Sequence, residues 1–549
     1  MRHQCVGLLV GVGLAGGFQI QAPSTRQTSL MMSATKGSAA GAMPDAVANL
    51  GKGEELFDWN KQWYPVLSVR DADPGRAHEV QLLGKDLVVW RNKEERWTCF
   101  DDRCPHRAAP LTQGRLEDDG SLLYAYHGWR FDADGKCLRI PQSDAGGRDE
   151  AQPKACAKVY PTQVVQDMVW VWGENGPDAA LESALTPAQL IPELNDEEAL
   201  KSGRVLPSNV GQNDLAYGWD TLMENVVDPS HVPVSHHGVA GNRKNAGPIP
   251  LEPAERWPVP TKDGFEFGCY DPAVKFTRGI SFRPPKQAIP LNEAKDSSGV
   301  LKLFLYATPT RPGWCRLLGR QTFVYRYDPK SKAAKGKTND DKKAGVLKSK
   351  LTGPVSFAAA MPSWVQHVTG HLFLHQDLVF LHHQEKILAS AGYDSSTYGR
   401  AVFVPAAADR GVMALRKWIT KFGSGGPAWD KGCDPTLPPR EHNHEALFNV
   451  YQAHTKNCAS CQGALKNVKK ASTAAKTAAV VSFAWALLRG ARALGTATTS
   501  PSASVLNAVT MRAMLPGVAL TLASLGTVKA LEKLHGMFFT SSFSHQDNN

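Results

Sequence analysis

Residues 104–129 read CPHRAAPLTQGRLEDDGSLLYAYHGW. Cys104-Pro-His106 opens the stretch. After seventeen intervening residues comes Tyr124-Ala-Tyr-His127, followed by Gly128-Trp129. A thiol and an imidazole at one loop tip, with a second imidazole at another, are the donors of a two-iron cluster. Soft sulfur suits one iron and neutral imidazole the other. The second thiol of that set is absent, and Tyr124 stands in its place.

A second stretch, 222–237, reads LMENVVDPSHVPVSHH. His231 and His236 lie five apart with Pro233 between them. Proline breaks a helix from within, so one His is expected to close a helix and the other to lie just beyond it. Two imidazoles and a carboxylate form the facial triad of a non-haem Fe(II) oxygenase, which leaves positions open for O2 and substrate. Asp228 precedes His231 by one helical turn.

Together these stretches resemble the Rieske oxygenases, and the match extends to Tyr126-His127-Gly128-Trp129 and Phe131-Asp132. Three of four cluster ligands are present, namely Cys104, His106 and His127. Tyr124 would offer a hard phenolate oxygen that lowers the potential and fits a sulfur-shaped pocket poorly. Three readings stay open: a [2Fe–2S] cluster with altered ligation, an empty site in a structural domain, or a one-base difference, since Tyr and Cys codons differ by a single base. The resemblance implies that the triad carboxylate comes from far downstream. Asp377, in His375-Gln-Asp-Leu-Val-Phe380, is the best match. The mononuclear Fe(II) ligands are thus expected at His231, His236 and Asp377. His237, His382 and His383 are read as supporting or surface groups.

Asn225-Val-Val-Asp-Pro-Ser-His-Val-Pro233, His236-His237-Gly238, Gln376–Leu381 and Gln384-Glu385-Lys386 resemble the pheophorbide a oxygenase-like branch. So do Cys458-Ala-Ser-Cys461 and the C-terminal apolar pair. That branch includes chlorophyllide a oxygenase, a protochlorophyllide-linked oxygenase and a redox component of the plastid import machinery. The likeness runs from about Asp58 to about Phe543. It implies a ferredoxin-type electron donor, O2, a tetrapyrrole substrate and a homotrimer. Asp228 would bridge a triad His, most simply His231, and a cluster His, most simply His127, and Asn225 would line the path. Cys458 and Cys461 are a candidate redox switch or thioredoxin target. The rival reading is a plastid-envelope redox sensor or scaffold with a degenerate cluster.

The rest of the 549-residue chain gives an α+β expectation. Residues 58–175 carry short β-type runs split by Asp-Gly turns at 119–120 and 134–135, hence an all-β Rieske domain. Leu181–Leu200 is a polar connector. Residues 200–445 form an α+β, helix-grip-like catalytic domain with a helix over about 213–230 and a Lys-rich surface insertion at 330–350. Residues 447–470 look helical around the CxxC. Within 477–531, Thr477–Leu488 and Ala513–Val528 are uncharged, each shorter than the roughly 20 residues a bilayer demands. Flanking Arg and Lys could extend them into a membrane hairpin.

Residues 1–45 read as a targeting leader. The first acid is Asp45, and an apolar run precedes a Ser- and Arg-bearing tract. A plastid location follows, at the thylakoid or envelope membrane. Net charge is +10, which suits anionic lipid or an acidic electron carrier. The basic residues are not interleaved with aromatics, which argues against nucleic acid. Ten cysteines without framework spacing argue against a disulfide-rich secreted protein.

Overall fold

The computed structural model describes residues 56–254, 260–271, 276–294, 299–325, 361–496 and 503–541. The expected leader and the Lys-rich insertion lie outside them.

The N-terminal part is all β. Met168-Val-Trp-Val-Trp172 is its central strand, and all five residues are buried. Alternation sends them to two faces. Met168, Trp170 and Trp172 pack with Ile289, Phe304 and Tyr306, while Val169 and Val171 enter the main core. Trp63–Ser68 and Thr162–Val165 flank this strand antiparallel. A second sheet joins His78–Leu82, Lys85–Arg91, Trp97–Asp101 and Val159–Tyr160. The stretch that decides the fold supplies a third, made of two- and three-residue strands from Arg115 to Arg139.

Beyond it lies an eight-stranded antiparallel sheet. Val205–Pro207 and Gly211–Leu215 both pair with Trp314–Tyr325. Gly299–Arg311, Gln287–Ala294, Phe276–Arg283, Phe265–Asp271 and Glu252–Pro253 follow in order. The helices Trp219–Val227, Ser363–Ser390 and Arg410–Lys421 accompany this sheet.

The helix expected over 213–230 is shorter than the sequence implied. Residues 211–215 are a strand, and the helix begins only at Trp219 after Gly218. A buried network holds it. Arg416 Nη1 donates to Asp220 (2.6 Å) and Nε to Glu224 (2.9 Å). Tyr398 Oη and Gln384 Nε2 donate to the same Glu224 carboxylate, each at 2.8 Å. Gly218 N–H donates to Glu385 Oε1 (2.8 Å). These bonds satisfy charges that burial would otherwise penalise heavily.

Aromatic rings join the two parts. Trp59 meets Trp219 edge-on at 5.0 Å and Trp418 at 6.2 Å, pairs worth about 0.5–1.5 kcal/mol each beyond their buried area. Arg316 adds a fork to Asp214 and a bond to Val66 O at 2.8 Å.

The C-terminus is a helical hairpin, Ala459–Thr496 and Ala503–Gly536. Each apolar segment sits inside an uninterrupted helix of 38 or 34 residues, long enough to cross a bilayer. Gly517 lets the helices touch, since a Cβ there would fall 2.6 Å from Ala486 Cβ. Ser482 and Thr521 hydroxyls pair at 2.9 Å. Val480, Phe483, Leu488, Leu515 and Leu522 face outward and exposed.

Candidate iron sites

Asp228 caps the C-terminal end of the Trp219–Val227 helix. His231 then starts the short helix Val232–Ser235, and His236 closes it. The two imidazoles therefore bracket one helical turn that holds Pro233, rather than closing one helix and following it. Gly241 N–H donates to His236 O (2.8 Å), folding the next loop under the site. Asp377 comes from the long helix Ser363–Ser390.

These elements bring the three side chains together. Asp377 Oδ2 lies 3.1 Å from His236 Nε2 and 3.6 Å from His231 Nε2. One ligand atom from each lies within 4.8 Å of the others. His236 Nε2 is buried without a hydrogen-bond partner, as expected of a lone pair kept for a metal. The donor set therefore fits a non-haem iron with open positions.

The surroundings set the orientation and charge of these candidate ligands. His236 Nδ1 donates to Gln376 Oε1 at 2.9 Å, which leaves Nε2 to face Asp377. Phe373 stacks on the His236 ring at 3.8 Å. Asn225 Nδ2 donates to Asp377 Oδ2 (3.4 Å), and Ser235 Oγ donates to Oδ1. Burial works to raise the Asp377 pKa, but the neighbouring His236 and His231 and the Ser235 hydroxyl outweigh it and hold the carboxyl below its ordinary range. Asp228 Oδ2 lies 3.6 Å from His231 Nδ1, and its Oδ1 accepts from Ser230 N (2.7 Å). Burial opposes this carboxylate too, and His231 and Ser230 still keep its pKa low.

A cavity of about 240 Å³ opens on this site, walled by Ile280, Leu291, Leu301, Leu303 and Leu305. Asn225 and Asp228 line it beside His231 and His236.

The other expected site is built from two loop tips. Cys104 N–H donates to Ala109 O (3.0 Å), and Ala108 N–H to Cys104 O (2.9 Å). Tyr124 N–H donates to Trp129 O (2.8 Å), and Gly128 N–H to Tyr124 O (2.9 Å). Gly128, at φ +74°, takes the left-handed position of the second tip. The tips set the His106 and His127 rings 4.4 Å apart, with Trp129 stacked on His106 at 5.0 Å. His106 Nδ1, His127 Nδ1 and Tyr124 Oη are all buried without partners. Cys104 and Tyr124 share one apolar cluster with Cys137.

The imidazoles and Cys104 thus suit a Rieske cluster, while the fourth position presents a phenol. Burial, with the neighbouring Cys104 and Tyr126, pushes the Tyr124 pKa up.

His382 is a structural support, donating through Nδ1 to Ala216 O (2.6 Å) and accepting Glu441 N–H at Nε2 (2.8 Å). His383 rests on His442, and His237 is exposed and accepts Arg243 N–H. Cys458 and Cys461 are unbridged and buried, 3% and 0% exposed. Sequence reasoning missed Gln376 as a ligand's partner although it sits beside Asp377. It also missed His367 and His454, which lie against the CxxC; His367 is remote in sequence, whereas the His454-x3-Cys458-x2-Cys461 spacing could have flagged His454.

A Rieske fold, followed by an antiparallel sheet with two imidazoles and a carboxylate on its helices, defines a Rieske non-haem iron oxygenase. Residues 62–161 match the Rieske [2Fe-2S] domain, and residues 282–394 match pheophorbide a oxygenase. The chloroplastic pheophorbide a oxygenase of Oryza sativa subsp. japonica is 34% identical over 434 residues, covering 75% of this chain and 74% of that one. The chloroplastic flavonoid 8-hydroxylase 2 of Ocimum basilicum is 32% identical and covers 76% of each. The protochlorophyllide-dependent translocon component 52 of Arabidopsis thaliana is 29% identical, covering 77% of this chain and 76% of that one. The chain belongs to the pheophorbide a oxygenase-like family of Rieske oxygenases.

Proposed function

We propose that this chain is a membrane-associated plastid oxygenase that inserts oxygen from O2 into a chlorophyll-type tetrapyrrole with ferredoxin-derived electrons. The observation that carries the reading is the His231–His236–Asp377 group opening on an apolar cavity. Iron(II) held there would supply reductive activation of O2. Gln376 fixes the His236 tautomer, and Asn225 and Ser235 hold the Asp377 carboxylate in place. The apolar wall of Ile280 and the four leucines favours an apolar substrate. The outward apolar faces of the hairpin support delivery of such a substrate from a membrane.

Asp228, 3.6 Å from His231 Nδ1, would orient that imidazole on closing by a few tenths of an ångström. In a trimer its carboxylate would also meet His127 of the partner subunit and hold a hydrogen-bonded path between the two imidazoles. Arg103 and Arg107 stand exposed at the cluster tip, complementary to an acidic carrier such as ferredoxin. Chloroplastic relatives and the leader-like N-terminus support the plastid location.

The test is product formation from pheophorbide a or chlorophyllide a with reduced ferredoxin and O2. Turnover is expected to vanish in His231→Ala and Asp377→Ala. Undiminished product in those variants would refute the reading.

Tyr124 favours a second reading, a redox-sensing or scaffold protein without a working cluster. Two acid-labile sulfides per chain with a Rieske-type EPR signal would exclude it.

A further inference from the structure

We propose that His367, His454, Cys458 and Cys461 form a second, separate metal site that binds one zinc-type divalent ion. The four residues come from three places. His367 belongs to the Ser363–Ser390 helix, and His454 ends the short helix Val450–Ala453. Cys458 and Cys461 open the first hairpin helix. All four are buried, and one ligand atom from each lies within 4.8 Å of every other.

The spacings are those of a tetrahedron. With Zn–N near 2.05 Å and Zn–S near 2.3 Å, nitrogens sit about 3.3 Å apart and nitrogen and sulfur about 3.6 Å. His367 Nδ1 is 3.1 Å from His454 Nε2. It is 3.5 Å from both Cys458 Sγ and Cys461 Sγ, and His454 Nε2 is 3.4 Å from Cys461 Sγ. Hydrogen bonding alone does not require four donors and acceptors to converge on one point. A central ion does.

The groups behind the ligands agree. His454 Nδ1 donates to Gln212 O (2.6 Å), which frees Nε2 as the lone pair facing the site. His367 Nε2 faces Asp71 Oδ2 at 3.5 Å, a carboxylate–imidazole–metal arrangement. Cys461 N–H points at Cys458 Sγ (3.4 Å), as suits a thiolate. Binding would release the two thiol protons. The dication and two thiolates then sum to zero charge, which a buried site favours. Two sulfurs and two imidazoles in a closed set select zinc over the iron of the open triad.

The site ties three parts of the molecule together: the helix that bears Asp377, the hairpin, and the β domain through Asp71. Ala459 N–H also donates to Asp71 O (2.7 Å). Its role is structural, and thiol oxidation would eject the ion.

The test is metal analysis of the full-length protein, purified anaerobically with its thiols reduced. About one zinc per chain is expected, with two sulfur and two nitrogen neighbours by X-ray absorption. Cys458→Ser and Cys461→Ser should each lose most of that zinc, whereas Asp377→Ala should lose iron and keep zinc. If the Cys variants do not fold, Co(II) exchange into the wild type serves instead. Intense thiolate-to-cobalt absorption with tetrahedral d–d bands is then expected. Fully reduced protein that holds no zinc and takes up none, or four-coordinate zinc retained in both Cys variants, would overturn the proposal.

Discussion

Gln376 offers the sharpest probe of the iron-site reading. Its Oε1 accepts from His236 Nδ1 at 2.9 Å, and both residues are buried, 2% and 0% exposed. Gln376→Leu keeps the bulk of the side chain and removes the acceptor. The Nδ1 proton then has no partner, which costs about 1–3 kcal/mol for a buried donor. The imidazole also loses the bond that fixes its tautomer and raises its basicity. Removing such partners typically weakens metal binding by about 10–100-fold, or about 1.4–2.7 kcal/mol. The two estimates agree, so the Fe(II) Kd of Gln376→Leu should rise by about one to two decades. Gln376→Glu keeps an acceptor and should bind at least as tightly as wild type. The assay is anaerobic Fe(II) titration of the metal-free protein against a competing chelator, with circular dichroism as a folding control. A folded Leu variant within about twofold of wild type would show that His236 does not bind metal through Nε2 in this orientation.

Other outcomes follow from the same geometry. Tyr124→Cys completes the two-thiolate, two-imidazole set, so acid-labile sulfide per chain and the Rieske-type EPR signal should both exceed wild type. Equal values would show that the phenol is no obstacle. Asp228→Asn should keep iron at the triad, because the ligand atoms are untouched, while substrate turnover falls sharply. Iron loss in parallel would mean that Asp228 acts only by holding His231. Glu224→Gln leaves Arg416 without its buried carboxylate partner and should destabilise the fold by about 3–5 kcal/mol in denaturant titration; a change near zero would mean that Asp220 alone satisfies the guanidinium. Trp59→Ala, at the junction of the two parts, should cost about 3–5 kcal/mol, read as a lower unfolding midpoint.

Much of this molecule was legible wherever a short segment carries its own signal. Met168–Trp172 was visible as a strand because alternating β-branched and aromatic residues fill two cores. The cluster tips were visible because each fits within six residues. His231, His236 and Asp377 were expected together by resemblance, and the helices place the three side chains within reach of one ion. What failed was local helix reading near residue 213. There Gly211–Leu215 pairs with Trp314–Tyr325, a partner a hundred residues away that periodicity cannot see. Pro233 was expected to separate the two imidazoles, yet it sits early in a single turn between them, a position that tolerates proline. His367 and His454 were missed for other reasons. His367 lies 91 residues from Cys458, and only the packing of the hairpin against the long helix brings it there; His454, four residues before Cys458, went unread because two thiols and one imidazole do not by themselves make a metal site.

That long helix, Ser363–Ser390, carries His367 at one level and Asp377 ten residues on. It acts as a ruler, setting about 15 Å of rise and a fixed phase between two ligand levels. Substitutions along its face alter fit locally. Adding or deleting one residue between positions 367 and 377 would instead rotate one ligand by about 100° against the other and shift it by about 1.5 Å. Neither cluster could then close while the other did, so, outside the ligands and the residues that touch them such as Gln376 and Phe373, this ten-residue interval should tolerate changes of identity but none of length.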